Sequence, residues 1–129
     1  MSFYYSYTIL DQKIYICEVN KIIVSIDLKP AASIYKETLT IKQAYKEINE
    51  YLQKKRHKFS FPYHYEGSKF QEEVWKTIES IPYGQTLSYK EIAKIINRPK
   101  AYQAIGTACK NNPLLFIVPC HRVVSKNKN

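Results

Sequence analysis

Hydrophobic periodicity changes once along this chain, and that change confines it to a mixed architecture. Apolar and aromatic positions recur every second residue at Phe3, Tyr5, Tyr7 and Ile9. They do so again at Ile14 and Ile16 after an Asp11-Gln12-Lys13 turn, and at Ile22, Val24, Ile26 and Leu28 after Asn20-Lys21. Side chains that alternate across a pleated backbone make strands, so this stretch predicts a β-meander, which Pro30 ends. From Ile41 the spacing becomes helical: Ile41, Ala44, Tyr45, Ile48 and Leu52 share a face, and the pattern closes in the basic run Lys54-Lys55-Arg56-His57-Lys58. Residues 1–61 carry no catalytic constellation and read as a scaffold lobe; 62–67, with Pro62 and Gly67, read as a connector.

Residues 68–129 form the second predicted lobe, and their helix starts are written in capping residues. Ser68-Lys69-Phe70-Gln71 has the S-x-x-Q form in which the serine side chain and the glutamine side chain satisfy each other's backbone N–H groups. Phe70, Val74, Trp75 and Ile78 give that helix an apolar stripe, and Ile81-Pro82-Tyr83-Gly84 stops it. Ser88-Tyr89-Lys90-Glu91 repeats the motif and opens a short helix with Ile92, Ala93 and Ile96 inward. Asn97-Arg98-Pro99 then turns the chain into a helix from Lys100 to Lys110 that packs through Ala104, Ile105 and Ala108. Two short helices joined by about three residues predict a helix-turn-helix. The fold class is therefore α/β (α+β): an N-terminal β-meander-plus-helix lobe and a C-terminal helix-turn-helix, winged-helix-like lobe.

The chain's 129 residues, 45% of them apolar, suffice for one domain or two very small lobes. Its charge is unevenly placed. Residues 1–66 hold 10 Lys/Arg against 7 Asp/Glu, and residues 67–129 hold 10 against 4. After Glu91 there is no acidic residue, while Lys94, Arg98, Lys100, Lys110, Arg122, Lys126 and Lys128 follow. Such a segment suits a polyanion, and it coincides with the helix-turn-helix. No run of apolar residues is long enough to span a bilayer, and Met1-Ser2-Phe3-Tyr4-Tyr5 lacks the form of a signal peptide. The expected compartment is cytoplasmic, nucleoid-associated, or nuclear in a eukaryote. Cys17, Cys109 and Cys120 are odd in number and have no metal-ligand spacing, so reduced thiols are expected and no metal or cofactor is implied.

The chemistry concentrates at Pro119-Cys120-His121-Arg122-Val123, directly after the apolar stretch Leu114 to Val118. A thiolate attacks carbon and a thiol does not; His121 is an adjacent base and Arg122 an adjacent cation that favours ionisation. The buried stretch would deliver Cys120 to the floor of a pocket under the helix-turn-helix. Cys17, in an alternating strand, and Cys109, on a helix without a neighbouring base, are expected to play no part.

Phe70-Gln71, Val74-Trp75, Ile81-Pro82-Tyr83-Gly84, Leu87-Ser88-Tyr89, Ala101 to Gly106, Asn111-Asn112-Pro113 and the Pro-Cys-His-Arg-Val pentapeptide, in this order and spacing, resemble the O6-alkylguanine-DNA alkyltransferases, closely over residues 68–124. The resemblance implies single-turnover DNA repair. Double-stranded DNA containing O6-alkylguanine is bound through the helix-turn-helix, the damaged guanine is flipped into the pocket, and a cysteine takes the alkyl group irreversibly. It assigns Cys120 as acceptor, His121 as the base acting through a water, Asn112 as the tie between the helix-turn-helix and the active segment, and Tyr89 as the residue that helps rotate the nucleotide. The DNA-binding set it implies is Tyr89, Arg98, Lys100, Ala101, Tyr102, Gln103, Gly106 and Arg122, in a monomeric protein without a membrane partner.

The chain departs from that pattern where the recognition helix usually reads Ala-Arg-Ala-Val-Gly: Gln103 stands in place of the Arg that fills the vacated base position. Gln hydrogen-bonds an orphaned base but supplies neither a cation nor a flat guanidinium stack. The resemblance also expects, after Val124, a Gly/Tyr-rich loop walling the pocket and a last helix bearing a Glu that orients the His; neither is present through Asn129. An open pocket and reduced efficiency are the expectation, with a lesion-binding or DNA-binding protein of the same fold as the alternative.

Overall fold

A computed structural model describes residues 1–125; Lys126, Lys128 and the rest of the chain's end lie outside the described residues. The chain divides into two compact units, Met1–Tyr65 and Glu66–Asn129. Among the described residues no helix is long and apolar enough to cross a membrane.

The first unit is a sheet with one helix packed on it. Strands β1 (Ser2–Ile9), β2 (Gln12–Val19) and β3 (Ile22–Asp27) form the antiparallel meander, and a short β4 (Ile34–Tyr35) adds in parallel to β1, in the order β3-β2-β1-β4. Both hairpins close through two residues in the left-handed region, Leu10-Asp11 and Asn20-Lys21, with φ between 52° and 64°. Positive φ at both central positions matches the twist of the flanking strands. The first turn is thus tighter than expected: Gln12 and Lys13 belong to β2, and Leu10 takes a conformation that its side chain disfavours.

The strict alternation expected for β3 is also broken. A bulge against Cys17/Glu18 shifts the register, so that Ile23, Ser25 and Ile26 are buried while Ile22 and Leu28 lie at the surface. Helix α1 (Leu39–Leu52), capped by Thr38, packs Ile41, Ala44 and Ile48 against the sheet residues. Each buried isoleucine contributes about 1.5–3 kcal/mol relative to exposure. Tyr63, within the expected connector, bridges Ile23, so the chain after α1 returns to the sheet edge before the second unit begins. Glu47 anchors that return: its carboxylate accepts from Ser60 N–H and hydroxyl, both at 2.7 Å, and pairs with Arg56 at 3.3 Å.

Among the described residues the second unit holds three α-helices. Helix α2 (Lys69–Glu79) begins in a complete capping box between Ser68 and Gln71, and α3 (Tyr89–Ile95) in a second one between Ser88 and Glu91. Gly67 is required where it stands, because a Cβ there would meet Gln71 Oε1 at 2.6 Å and the Trp75 ring at 2.7 Å. Asn97, at φ 61°, ends α3: the Arg98 N–H reaches the Ala93 carbonyl and the Asn97 N–H the Lys94 carbonyl, the paired bonds of a Schellman motif.

Helix α4 spans Tyr102–Lys110, two residues shorter than expected at its start. The connection from α3 is correspondingly longer than three residues, because the Schellman cap is followed by an Arg98-to-Ala101 turn that leaves Pro99 and Lys100 outside the helix. Val74, Trp75, Ile78, Ile92, Ala93, Ile105 and Ala108 are the buried residues of the three helices. Ala104, expected in this core, is exposed.

Candidate active site

The site is built on both ends of α4. Its inner face is fixed by buried Ile105 and Ala108, and by the Trp75 indole N–H, which donates to the Ala108 carbonyl at 2.9 Å. The outer face then presents Tyr102, Gln103, Ala104, Thr107 and Lys110 to solvent. Ala101 provides no side-chain cap, so the first N–H groups of α4 face outward beside Lys100. Gly106 faces Tyr89: a Cβ there would sit 4.0 Å from the ring, an ordinary contact. Tyr89, Gln103, Gly106, Thr107, Cys109 and Lys110 line a concavity of about 390 Å³.

Beyond α4 the chain coils instead of running straight. The Val118 N–H bonds the Leu114 carbonyl at 3.0 Å, and Phe116 turns the backbone at φ 72°. Such a conformation costs a non-glycine residue on the order of 1 kcal/mol. Asn112, 5% exposed, holds this turn from inside: its Oδ1 accepts from the Leu114 N–H at 2.9 Å, and its Nδ2 donates to the Val118 carbonyl at 2.8 Å and to Cys120 Sγ at 3.5 Å. One amide thereby fixes the turn and the sulfur.

Cys120, His121 and Arg122 form a 3₁₀ turn leading into β6 (Val123–Val124), which pairs in parallel with β5 (Leu87–Ser88), the segment that launches α3 and Tyr89. Arg122 does not extend outward from this turn. Its Nη1 donates to the Ile81 carbonyl at 2.7 Å, and its guanidinium lies over the Tyr83 ring at 5.4 Å. That arginine, assigned to DNA on sequence, clamps the Ile81–Gly84 turn, whose Gly84 has φ 83°. Arg98 is likewise engaged, pairing with Glu73 at 3.2 Å and covering Phe70. Lys100, Tyr102 and Gln103 remain exposed.

Cys109, expected to play no part, lines the same concavity at the last turn of α4. The nearby Cys120 thiol lowers the Cys109 pKa, while the Cys109 thiol and burial raise that of Cys120, against the Asn112 amide, which lowers it. Nothing in the sequence signals this proximity, because it joins the last turn of α4 to a turn beyond Pro113.

Burial, then the Arg122 charge, holds the His121 imidazole below its ordinary pKa, so it is a neutral base at neutral pH. Burial and the two nearby thiols raise the Tyr89 phenol, which stays protonated and able to donate. The fold thus places Tyr89 and Cys109 in one concavity and ties Asn112 to Cys120, which His121 follows in the chain. Arg98 and Arg122 are drawn into internal contacts.

This arrangement defines a class: a helix-turn-helix lobe with a cysteine site built against its second helix. The family model described as "6-O-methylguanine DNA methyltransferase, DNA binding domain" matches residues 69–129. Residues 69–129 thus match the DNA-binding domain of the O6-methylguanine-DNA methyltransferase family. It is 52% identical over 81 residues to the inducible methylated-DNA–protein-cysteine methyltransferase of Bacillus subtilis, a match covering 63% of this chain and 45% of that protein. It is 44% identical over 93 residues to the constitutive enzyme of the same organism, covering 72% and 56%. The chain thus spans about half the length of the curated relatives it matches.

Among solved structures, the O6-methylguanine methyltransferase of Mycobacterium tuberculosis superposes with a TM-score of 0.83 at 28% identity, covering 98% of this chain and 80% of that one. The mycobacterial protein in complex with DNA gives 0.82 at 28% identity, covering 96% and 79%.

Proposed function

We propose that this protein repairs double-stranded DNA by accepting, once per molecule, the alkyl group of O6-alkylguanine onto Cys120. The observation that carries this reading is Cys120 Sγ, held by the Asn112 amide and followed directly by a neutral His121. His121, through a water, removes the thiol proton. The sulfur attacks the alkyl carbon, the carbon–O6 bond breaks, and its electron pair leaves on guanine O6, which takes a proton from the Tyr89 hydroxyl or from water. A thioether and a free guanine result, and the thioether does not revert.

The alkyl carbon is unreachable inside a duplex, so the base must leave the stack. The exposed face of α4, with Tyr102 and Gln103, suits the groove, and the uncapped α4 N-terminus beside Lys100 suits a phosphate. One second unit carries both the helix-turn-helix and the thiol, so the protein acts as a monomer. It works where the genome lies, in the bacterial cytoplasm or a eukaryotic nucleus. The names of its relatives support the same reading.

Mass spectrometry after mixing the protein with an O6-methylguanine duplex tests the proposal. One added methyl, mapped to the peptide containing Cys120, is expected; a protein that binds the duplex and gains no methyl would be a binder only.

Transfer should also depend on pH in one direction. Because the His121 pKa is lowered, its basic form persists below the ordinary imidazole value of about 6.5. The single-turnover rate is therefore flat through neutrality and falls only below the ordinary imidazole range. An acid limb centred above pH 7 would assign the base to another group.

Gln103 sets the cost of flipping. Gln103→Arg adds a guanidinium that stacks in the vacated gap, a gain of about 1–2 kcal/mol, or roughly 5- to 30-fold in transfer from duplex DNA. Transfer from free O6-benzylguanine, which needs no flipping, is unchanged. Equal acceleration of both substrates, or of neither, would remove Gln103 from the DNA gap.

A further inference from the structure

The reacting segment is moored by side chains at two points, and the chemistry proposed above uses only the first. Asn112 holds it on the N-terminal side, through the Val118 carbonyl and Cys120 Sγ. On the C-terminal side Arg122 reaches back to the turn after α2. Its Nη1 donates to the Ile81 carbonyl at 2.7 Å while its guanidinium covers the Tyr83 ring at 5.4 Å. That anchorage is itself firm. Ile81 is buried, Pro82 has a fixed φ, the Gln85 N–H closes the turn on the Pro82 carbonyl at 3.0 Å, and Gly84, at φ 83°, takes the positive φ of a type II turn.

We propose that Arg122 is a positioning residue for alkyl transfer: bonded to the Ile81 carbonyl and laid over the Tyr83 ring, it moors the Cys120–Arg122 turn so that the sulfur and the imidazole keep one placement during attack. The consequence for transfer rests on the reading of Cys120 as acceptor; the mooring does not. The turn has few backbone bonds of its own. The Cys120 N–H reaches the Val118 carbonyl and the Arg122 N–H the Pro119 carbonyl, both at 2.8 Å, and the strand pair that follows is two residues long. Resistance to displacement therefore falls to side chains. In-line substitution needs the sulfur, the alkyl carbon and the departing oxygen on one line, and a base acting through a water needs a fixed distance to the sulfur.

Arginine is the side chain this contact needs. A planar guanidinium donates in its plane and stacks by its face at the same time, whereas an ammonium donates as a point charge and offers no flat face. The Arg122 charge also helps burial keep the neighbouring imidazole neutral, and a lysine in its place separates that effect from the mooring. Arg98 supplies an internal contrast. It pairs with Glu73 at 3.2 Å and covers Phe70, but that contact joins α2 to the turn after α3 and includes no residue of the reacting segment.

The test measures single-turnover transfer across concentrations of an O6-methylguanine duplex for the wild-type chain, Arg122→Met, Arg122→Lys, Tyr83→Leu and the double variant of Arg122→Met with Tyr83→Leu. Labelling of Cys120 by N-ethylmaleimide is followed in parallel on the tryptic peptide that begins at Asn111. Tyr83 is 40% exposed and is replaced without opening the core, so a poorly folding Arg122→Met leaves a second variant that reads the same contact. The limiting rate falls about 10- to 100-fold in Arg122→Met, as for an ångström-scale misplacement of reacting atoms, while the half-saturating duplex concentration is unchanged. Tyr83→Leu loses part of that rate and has no further effect in the Arg122→Met background, because the ring acts through the guanidinium. Arg122→Lys recovers the rate only in part, and every variant labels Cys120 faster than the wild type. Full recovery with lysine would leave the charge alone as the cause; weaker duplex binding at an unchanged limiting rate would return Arg122 to the DNA surface; losses that multiply in the double variant, or unchanged labelling, would show that no such mooring exists. Each of these overturns the inference. A wild-type protein that gains no methyl, with the labelling pattern as expected, would instead overturn only the acceptor assignment.

Discussion

Cys120→Ser protein, mixed with an O6-methylguanine duplex, gains no methyl group and still binds the duplex. A serine hydroxyl is far harder to ionise than a thiol, and it is a weak nucleophile without a base that takes its proton during attack. The rate therefore falls by several orders of magnitude, to a level that overnight incubation does not reveal. DNA affinity is set elsewhere, by the exposed side chains of α4 and by Lys100, and is unchanged. The presence of Cys109 sharpens this experiment. Its thiol lines the same concavity as Tyr89, but the Asn112 amide is given to Cys120, and Cys109 is not followed by a histidine. A methyl mapped to Cys109 in the Cys120→Ser protein would mean that the pocket, and not the Cys-His segment, selects the acceptor.

Asn112→Ala has the second large effect, on stability as well as on transfer. Removing the side chain strands the Leu114 N–H in the interior, takes from the Val118 carbonyl one of its two donors, the Cys120 N–H at 2.8 Å remaining, and leaves Cys120 Sγ without the Asn112 donor. One unsatisfied buried backbone N–H at about 1–3 kcal/mol, with the lost bond to Val118 adding about 1 kcal/mol less what local relaxation recovers, gives a loss of roughly 1–3 kcal/mol. Urea unfolding followed by Trp75 fluorescence reads it directly, since that ring is buried in the same unit. Asn112→Asp separates the two roles: a carboxylate keeps the bond from Leu114 but loses both donors and sets a negative charge beside the sulfur. Transfer then falls even in the fraction that remains folded. A stability loss below 0.5 kcal/mol for Asn112→Ala would show that the turn from Leu114 to Val118 holds itself.

The mycobacterial likeness extends over both units, whereas the family match is confined to residues 69–129. The difference has a physical basis. Any meander with adequate alternation and a helix to cover it makes the first unit, so its side chains are free to vary. The second unit must place Tyr89, Asn112 and Cys120 within contact of one helix, which constrains residue types as well as pattern.

What the sequence determined unaided was everything encoded within about four residues along the chain. The two capping boxes formed as written, because the serine and its partner three residues on need only each other. The meander and α1 followed from periods of two and 3.6, and the cysteine and its adjacent histidine were readable as a chemical group, whereas Asn112 entered only through the family resemblance. The tertiary structure decided what depends on chain segments meeting from a distance. It added β4 to the meander and paired β5 with β6, since a two-residue strand carries no period of its own. A bulge turned Ile23 inward in place of Ile22, because register is a property of two strands. Arg122 was set on the Ile81 carbonyl, and Cys109 was placed in the concavity with Tyr89 and Gly106. These last two pairings lie across helix ends and turns, where neither spacing nor composition records which side chains will face each other. Only the packing of α4 against Trp75, and the coil that Asn112 holds, sets them together.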